Sequence, residues 1–156
     1  MIRVEMTYAF PVSVSKAFTY ICNMDNWIEY WPGFVCVYDK ANAKWAHSGD
    51  TIKVITKFLS RERELYLKLE EFQKDKIVTY VSQQKGLPDA RHERHFKENP
   101  EGCEYRLVVC FEPRKGLMGL IDRIFIQRAV ANALHQTVMN LDTIFRNRPS
   151  KSGISK

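Results

Sequence analysis

Residues 116–149 run GLMGLIDRIFIQRAVANALHQTVMNLDTIFRNRP. Within them Leu117, Leu120, Ile121, Ile124, Ala131, Leu134, Val138, Leu141 and Phe145 recur at three- and four-residue steps, the spacing of one apolar stripe on a helix, until Pro149 stops the pattern. The stretch predicts one long C-terminal helix. Roughly 30 helical residues span about 45 Å, enough to cross the whole face of a sheet.

Upstream the period is two. Ile2, Val4, Met6, Tyr8 and Phe10 alternate with mostly polar residues, which predicts a half-buried first strand ended by Pro11. Ser13 then caps a short helix with Ala17, Phe18 and Ile21 on one side, and the turn-forming residues of 23–33 hold a second short helical turn. Residues 34–38, 51–59, 64–72, 77–84, 90–97 and 103–112 read as further strands. In 51–59 the lysines Lys53 and Lys57 share a face, so Ile52, Val54, Thr56 and Phe58 point inward, as do Leu65, Leu67 and Leu69 in the next strand. The connections 60–63, 74–76 and 98–102 suit hairpins and make the strands an antiparallel meander. The expected architecture is α+β: a curved antiparallel sheet of about seven strands with two short helices, wrapped around the long C-terminal helix.

A chain of 156 residues fits one domain, assigned to residues 1–148, with a flexible basic tail over 149–156. With 45% hydrophobic and 27% charged residues the composition is that of a globular chain rather than a disordered one. The formal charge of +6 is spread among acidic residues instead of gathered into runs, so it points to no nucleic-acid partner. Cys22, Cys36, Cys103 and Cys110 show no C-x-x-C spacing, and the N-terminus alternates like a strand rather than a signal peptide. Reduced thiols, a cytoplasmic location and no membrane-spanning segment are expected, because no apolar run approaches the ~20 residues such a segment requires.

The order of elements resembles the START-related helix-grip superfamily, particularly its polyketide cyclase/dehydrase and lipid-transport branch. The likeness is carried by residues 10–18 at the first strand-to-helix junction and by Asn26, Trp27, Trp31, Pro32 and Gly33 before the second strand. The Gly102 turn, the strand closing at Glu112 and Pro113, and the terminal helix from Gly116 complete it. These are fold-level patterns, and they cover nearly the whole chain. The resemblance implies a helix-grip fold and binding of sterols, lipids, polyketides or hormone-like molecules, with enzymes among its members.

Period-two alternation places His92 and Arg94 on the same face as Phe96, and Arg91, Glu93 and His95 on the other. An interior guanidinium and imidazole need partners, which a cavity holding water or an anionic ligand group supplies; a reversed register would instead leave Arg94 in solvent. Tyr105 and Leu107 share the inner face of the following strand, and Tyr80 lies on the preceding one, as ligand contacts or ordinary core residues. Phe58 and Leu67 complete the expected lining from the sheet. In the fold it resembles, the connection bearing Trp27, Tyr30 and Trp31 packs near the pocket mouth; simple hydrophobic closure is the alternative. From the helix, Leu120 and Ile124 are expected to line the pocket and Arg128 to reach a ligand carboxylate, a snorkelling surface role being the alternative for the arginine. Residues 116–120 suit either a gate or membrane-touching lip or a buried helix start.

His92 and His95 face opposite sides of a strand and cannot grip one metal, so no metal is expected. No G-x-S-x-G, G-x-x-x-x-G-K-[ST] or G-x-G-x-x-G pattern occurs, and no cofactor is expected. Three functions follow. The first is binding or transport of a hydrophobic small molecule, lipid-like or polycyclic, between sheet and helix, by a monomer or weak homodimer that contacts a membrane surface transiently. The second is a cyclase/dehydrase-like enzyme using the same cavity, with His92 as its acid or base. The third is a basic interaction module without a ligand.

Overall fold

The computed structural model describes residues 1–147, so the tail expected over 149–156 and the stop at Pro149 lie outside the described residues. Strand β1 (Ile2–Phe10) leads into helix α1 (Val14–Ile21), a 3-10 turn (Met24–Asn26), helix α2 (Trp27–Tyr30) and the short strand β2 (Phe34–Val37). Beyond a second 3-10 turn (Lys40–Asn42) come β3 (Thr51–Phe58), β4 (Arg61–Gln73), β5 (Ile77–Gln83), β6 (Ala90–Asn99) and β7 (Gly102–Phe111). All seven strands form one curved antiparallel sheet in the order β1, β7, β6, β5, β4, β3, β2. The meander is thus completed by β1, which returns to pair with the last strand from Ile2 opposite Phe111 to Phe10 opposite Cys103.

The alternation read from sequence is the alternation that buries the sheet. Ile52, Val54 and Thr56 on β3 and Leu65, Leu67 and Leu69 on β4 all face the core. Ser13 caps α1, its Oγ accepting from the Lys16 amide at 3.1 Å, and Val14, Ala17, Phe18 and Ile21 form the buried side of that helix. The β3–β4 turn is tighter than expected. Phe58 pairs with Arg61, leaving a two-residue turn of Leu59 and Ser60, both at positive φ (54° and 63°), where residues 60–63 had been expected to form the connection. A turn of this hand favours Asn-Gly or Asp-Gly, and Leu-Ser gives no such signal.

The C-terminal helix is continuous over residues 117–147 but not uniform: α3 (Leu117–Ile121), a π turn (Asp122–Ile126) and α4 (Gln127–Asn147) follow one another. Its buried positions are Gly119, Asp122, Ile126, Leu134, Val138, Leu141 and Phe145. From Asp122 to Val138 these recur at multiples of four. A run of four-residue steps drifts off a 3.6-residue period, and the wider π turn takes up the drift. Phe145 packs edge-on against Phe10 at 5.0 Å, tying the end of α4 to β1.

Residue identity explains why the first turns of this helix differ from expectation. Their inner face carries Gly119 and an ion-paired Asp122, not apolar side chains. A Cβ at position 119 would collide with the backbone carbonyl of Arg114. The apolar residues Leu117, Leu120, Ile124 and Phe125 therefore lie on the outer side, 73%, 53%, 49% and 61% exposed. Among the described residues, no helix is long and apolar enough to cross a membrane, and all four cysteines are free.

Candidate functional site

Between the concave sheet and α4 lies a partly open cavity of about 160 Å³. The helix contributes Ile126, Val130, Ala133, Leu134 and Thr137, and the opposing strands contribute Thr56, Leu65, Leu107, Val109 and Phe111, so most of the wall is apolar. Trp31, Pro32, Lys57, Phe58, Leu87 and Pro88 frame it from α2, β3 and the β5–β6 loop. Gly33 fixes one side of that frame. It adopts φ +80° and its carbonyl accepts from the Lys57 amide at 2.6 Å, so that a Cβ would strike the Lys57 carbonyl.

Polar groups converge on one wall. β5 and β6 pair Tyr80 with His92 and Val78 with Arg94, which brings all three polar side chains to the inner face. The Tyr80 and His92 rings stack at 4.6 Å with 5° between planes. His92 Nε2 lies 2.8 Å from Ser82 Oγ. Burial, reinforced by the Arg94 charge, pushes the imidazole down to about 3, so it is neutral at physiological pH. On the opposite face of β6, Glu93 instead meets His95 at 2.7 Å and also pairs with Arg91.

Arg94 is the centre of the group, 5% exposed. It donates to the Tyr80 hydroxyl at 2.9 Å and to the Tyr30 hydroxyl at 3.5 Å. Tyr30 in turn donates to the Ile21 carbonyl at 2.6 Å. The Arg94 Nε and the Tyr105 hydroxyl, both buried, have no hydrogen-bond partner among the described residues. Burial raises the Tyr30 and Tyr105 phenols well above their ordinary range, and raises the Cys22 thiol to about 12, in each case more than the nearby Arg94 charge lowers it. None of the three ionises to balance the guanidinium, and no carboxylate among the described residues pairs with it.

Of the residues singled out in the sequence, Trp31, Phe58, Tyr80, His92, Arg94, Tyr105 and Leu107 line this cavity. Five others are placed elsewhere. Trp27 is fully buried, its indole donating to the Ile21 carbonyl at 3.0 Å and its ring packed against Trp31, Phe34 and Trp45. Leu67 is core. Leu120 and Ile124 sit on the outer side of the helix for the reason given above, and Arg128 is exposed there too. The helix residues at the cavity are instead Ile126, Val130 and Leu134, on the opposite face of the helix. Trp45 was missed altogether: it lies in the irregular segment before β3, its indole donating to the Leu67 carbonyl at 3.2 Å and its ring meeting Tyr80 edge-on at 5.1 Å. A lone tryptophan in a loop carries no period from which to place it.

A second polar cluster secures the start of the helix. Asp122, fully buried, accepts from the Arg114 amide and from its guanidinium at 2.6 Å each, and the hydrogen bonds from Arg114 hold its carboxyl below the usual range. Arg114 also donates to the Gly86 carbonyl at 2.6 Å, fastening the β5–β6 loop beside Leu87 and Pro88. No group of side chains suited to hold a metal occurs among the described residues.

The sequence matches no protein-family model and no curated protein. Solved structures do match its fold. Protein CV1439 from Chromobacterium violaceum superposes with a TM-score of 0.72 at 12% identity, over 93% of this chain and 98% of that one. A START superfamily protein from Mycobacterium smegmatis gives 0.72 at 8% identity, over 93% and 97%. DynU16, described as a putative protein in the dynemicin biosynthetic locus, gives 0.65 at 10% identity over 90% of this chain but 47% of its own. The chain thus has the helix-grip fold, which it shares with these solved structures.

Proposed function

We propose that the chain binds a hydrophobic small molecule, lipid-like or polycyclic, in the cavity between the sheet and α4, and serves as its carrier. The observation that carries this reading is the pairing of an apolar wall with a few buried polar groups, of which Arg94 Nε, the Tyr105 hydroxyl and Gln84 Oε1 have no partner among the described residues. The fold shared with a START superfamily protein supports it. A volume of about 160 Å³ is close to that of an apolar cavity which takes up one benzene molecule. A ring system or the end of a longer molecule would therefore be enclosed. Hiding about 200 Å² of apolar ligand surface gains about 5 kcal/mol before ordering costs.

The enzymatic alternative uses the same groups. His92 argues against it. A general base works best with a pKa near the operating pH, and burial holds this imidazole far below.

The outer side of the helix start supports a place for delivery. Leu117, Met118, Leu120, Ile124 and Phe125 are exposed along neighbouring turns, and the exposed charges over residues 113–128 are Lys115, Arg123 and Arg128, all positive. An apolar strip edged with cations fits an anionic membrane surface, which rewards both features at once. The strip lies beside the cavity wall formed by Ile126 and Val130. Sedimentation with vesicles distinguishes this reading: binding to anionic vesicles that falls with salt supports it, and equal indifference to anionic and zwitterionic vesicles overturns it.

The carrier reading is tested by native mass spectrometry on protein purified without detergent, followed by organic extraction. A stoichiometric small apolar molecule is expected. An apoprotein that also takes up no member of a panel of lipids and polycyclic probes would contradict it.

A further inference from the structure

The guanidinium of Arg94 carries its charge at every physiological pH. It sits 5% exposed beside a mostly apolar cavity, and its protein partners are two neutral phenols. Proteins ordinarily bury a charge only with a countercharge. Here the place for one is left over: Arg94 Nε and the Tyr105 hydroxyl are both without partners among the described residues. Tyr80 accepts from Arg94, so its own proton remains available to a further acceptor, whereas the Tyr30 proton is taken by the Ile21 carbonyl. His92 is neutral and occupied with Ser82. The other cation on the cavity wall, Lys57, stands at the exposed rim.

From this we infer that the ligand is an acid bound as its anion, a small cyclic or aromatic carboxylate whose charged end meets Arg94, with Tyr105 and Tyr80 as additional donors. The ring would lie among Leu107, Val109, Val130 and Leu134. A carboxylate matches the idle donors because it only accepts hydrogen bonds and offers two oxygens to them. The inference rests on the cavity being a ligand site and adds the chemical class of what enters.

Isothermal titration at neutral pH with 2-naphthoate and 2-naphthamide tests it, since the two share a ring system and differ in charge. Naphthoate is expected to bind tighter by about tenfold or more, the range for a hydrogen bond to a charged group over a neutral one. Arg94→Met should remove that preference while changing naphthamide affinity by less than about threefold. Tyr105→Phe, which deletes one idle hydroxyl and little else, should narrow it and serves if Arg94→Met does not fold. Equal affinity for the two probes, or a preference that survives Arg94→Met, overturns the anion assignment and leaves the cavity reading standing. Failure of both probes to bind overturns the two together.

Discussion

The imidazole of His92 lies flat on the phenol ring of Tyr80, 4.6 Å away and 5° from parallel, with Arg94 reaching the Tyr80 hydroxyl from the next inward position of β6. One antiparallel register produces this arrangement, since Tyr80 is opposite His92 and Val78 opposite Arg94. The stack covers one face of the half-buried imidazole, and the adjacent guanidinium opposes a second positive charge.

Stability should therefore depend on His92 in acid. A histidine whose folded pKa is about 3, below its unfolded value of about 6.5, binds fewer protons folded than unfolded. Its contribution is complete above pH ~6.5 and is lost as pH falls from there towards 3, with a slope of at most ~1.4 kcal/mol per pH unit. Urea unfolding between neutral pH and pH ~4.5 should show His92→Gln losing less stability than wild type over that window. Parallel profiles would contradict the neutral imidazole.

Asp122 gives the second prediction. Asp122→Asn keeps the shape but leaves Arg114 without its countercharge, and should cost about 2–3 kcal/mol, read by chemical denaturation. Because the β5–β6 loop is fastened through the same arginine, hydrogen exchange over residues 84–89 should quicken more than exchange in β1.

Gly119→Ala should also destabilise, by about 1–3 kcal/mol, since the methyl group must displace the Arg114 carbonyl, which is backbone. Alanine is the better helix former, so a rise in thermal stability would show that the residues 113–116 do not pack as described.

Filling the cavity separates interior binding from surface binding. Ala133 lines the wall from α4, and Ala133→Phe should abolish uptake of an apolar probe by occupying its space. Leu120→Asp on the outer strip should leave that uptake intact and weaken attachment to anionic vesicles. The opposite pattern would place the ligand on the surface.

The sheet was legible because alternation is a local signal. His92, Arg94 and Phe96 share a face at period two whatever the rest of the fold does, and the buried side of β6 carries them. The helix was legible in extent but not in phase over its first turns. There the inner positions are a glycine and a paired aspartate, which hydrophobic periodicity passes over, while Leu120 and Ile124 satisfy the pattern from the wrong side. Trp45 and the Leu59–Ser60 turn were invisible for a different reason. One is placed by contacts with β4 and β5 far along the chain, the other by strand pairing that overrides its own turn preference.

The cavity itself was the least legible feature, because a residue lining a void and a residue packed in a core look alike in sequence. Methyl-resolved NMR during titration with 2-naphthoate addresses it directly. Saturable shifts are expected at Leu65, Leu107, Val109, Val130 and Leu134, which face the space between sheet and helix, with little change at the core methyls of Leu69, Val78 and Leu141. Shifts confined to Leu117, Leu120 and Ile124 on the outer face, or none at all, would contradict a ligand held between the sheet and the helix.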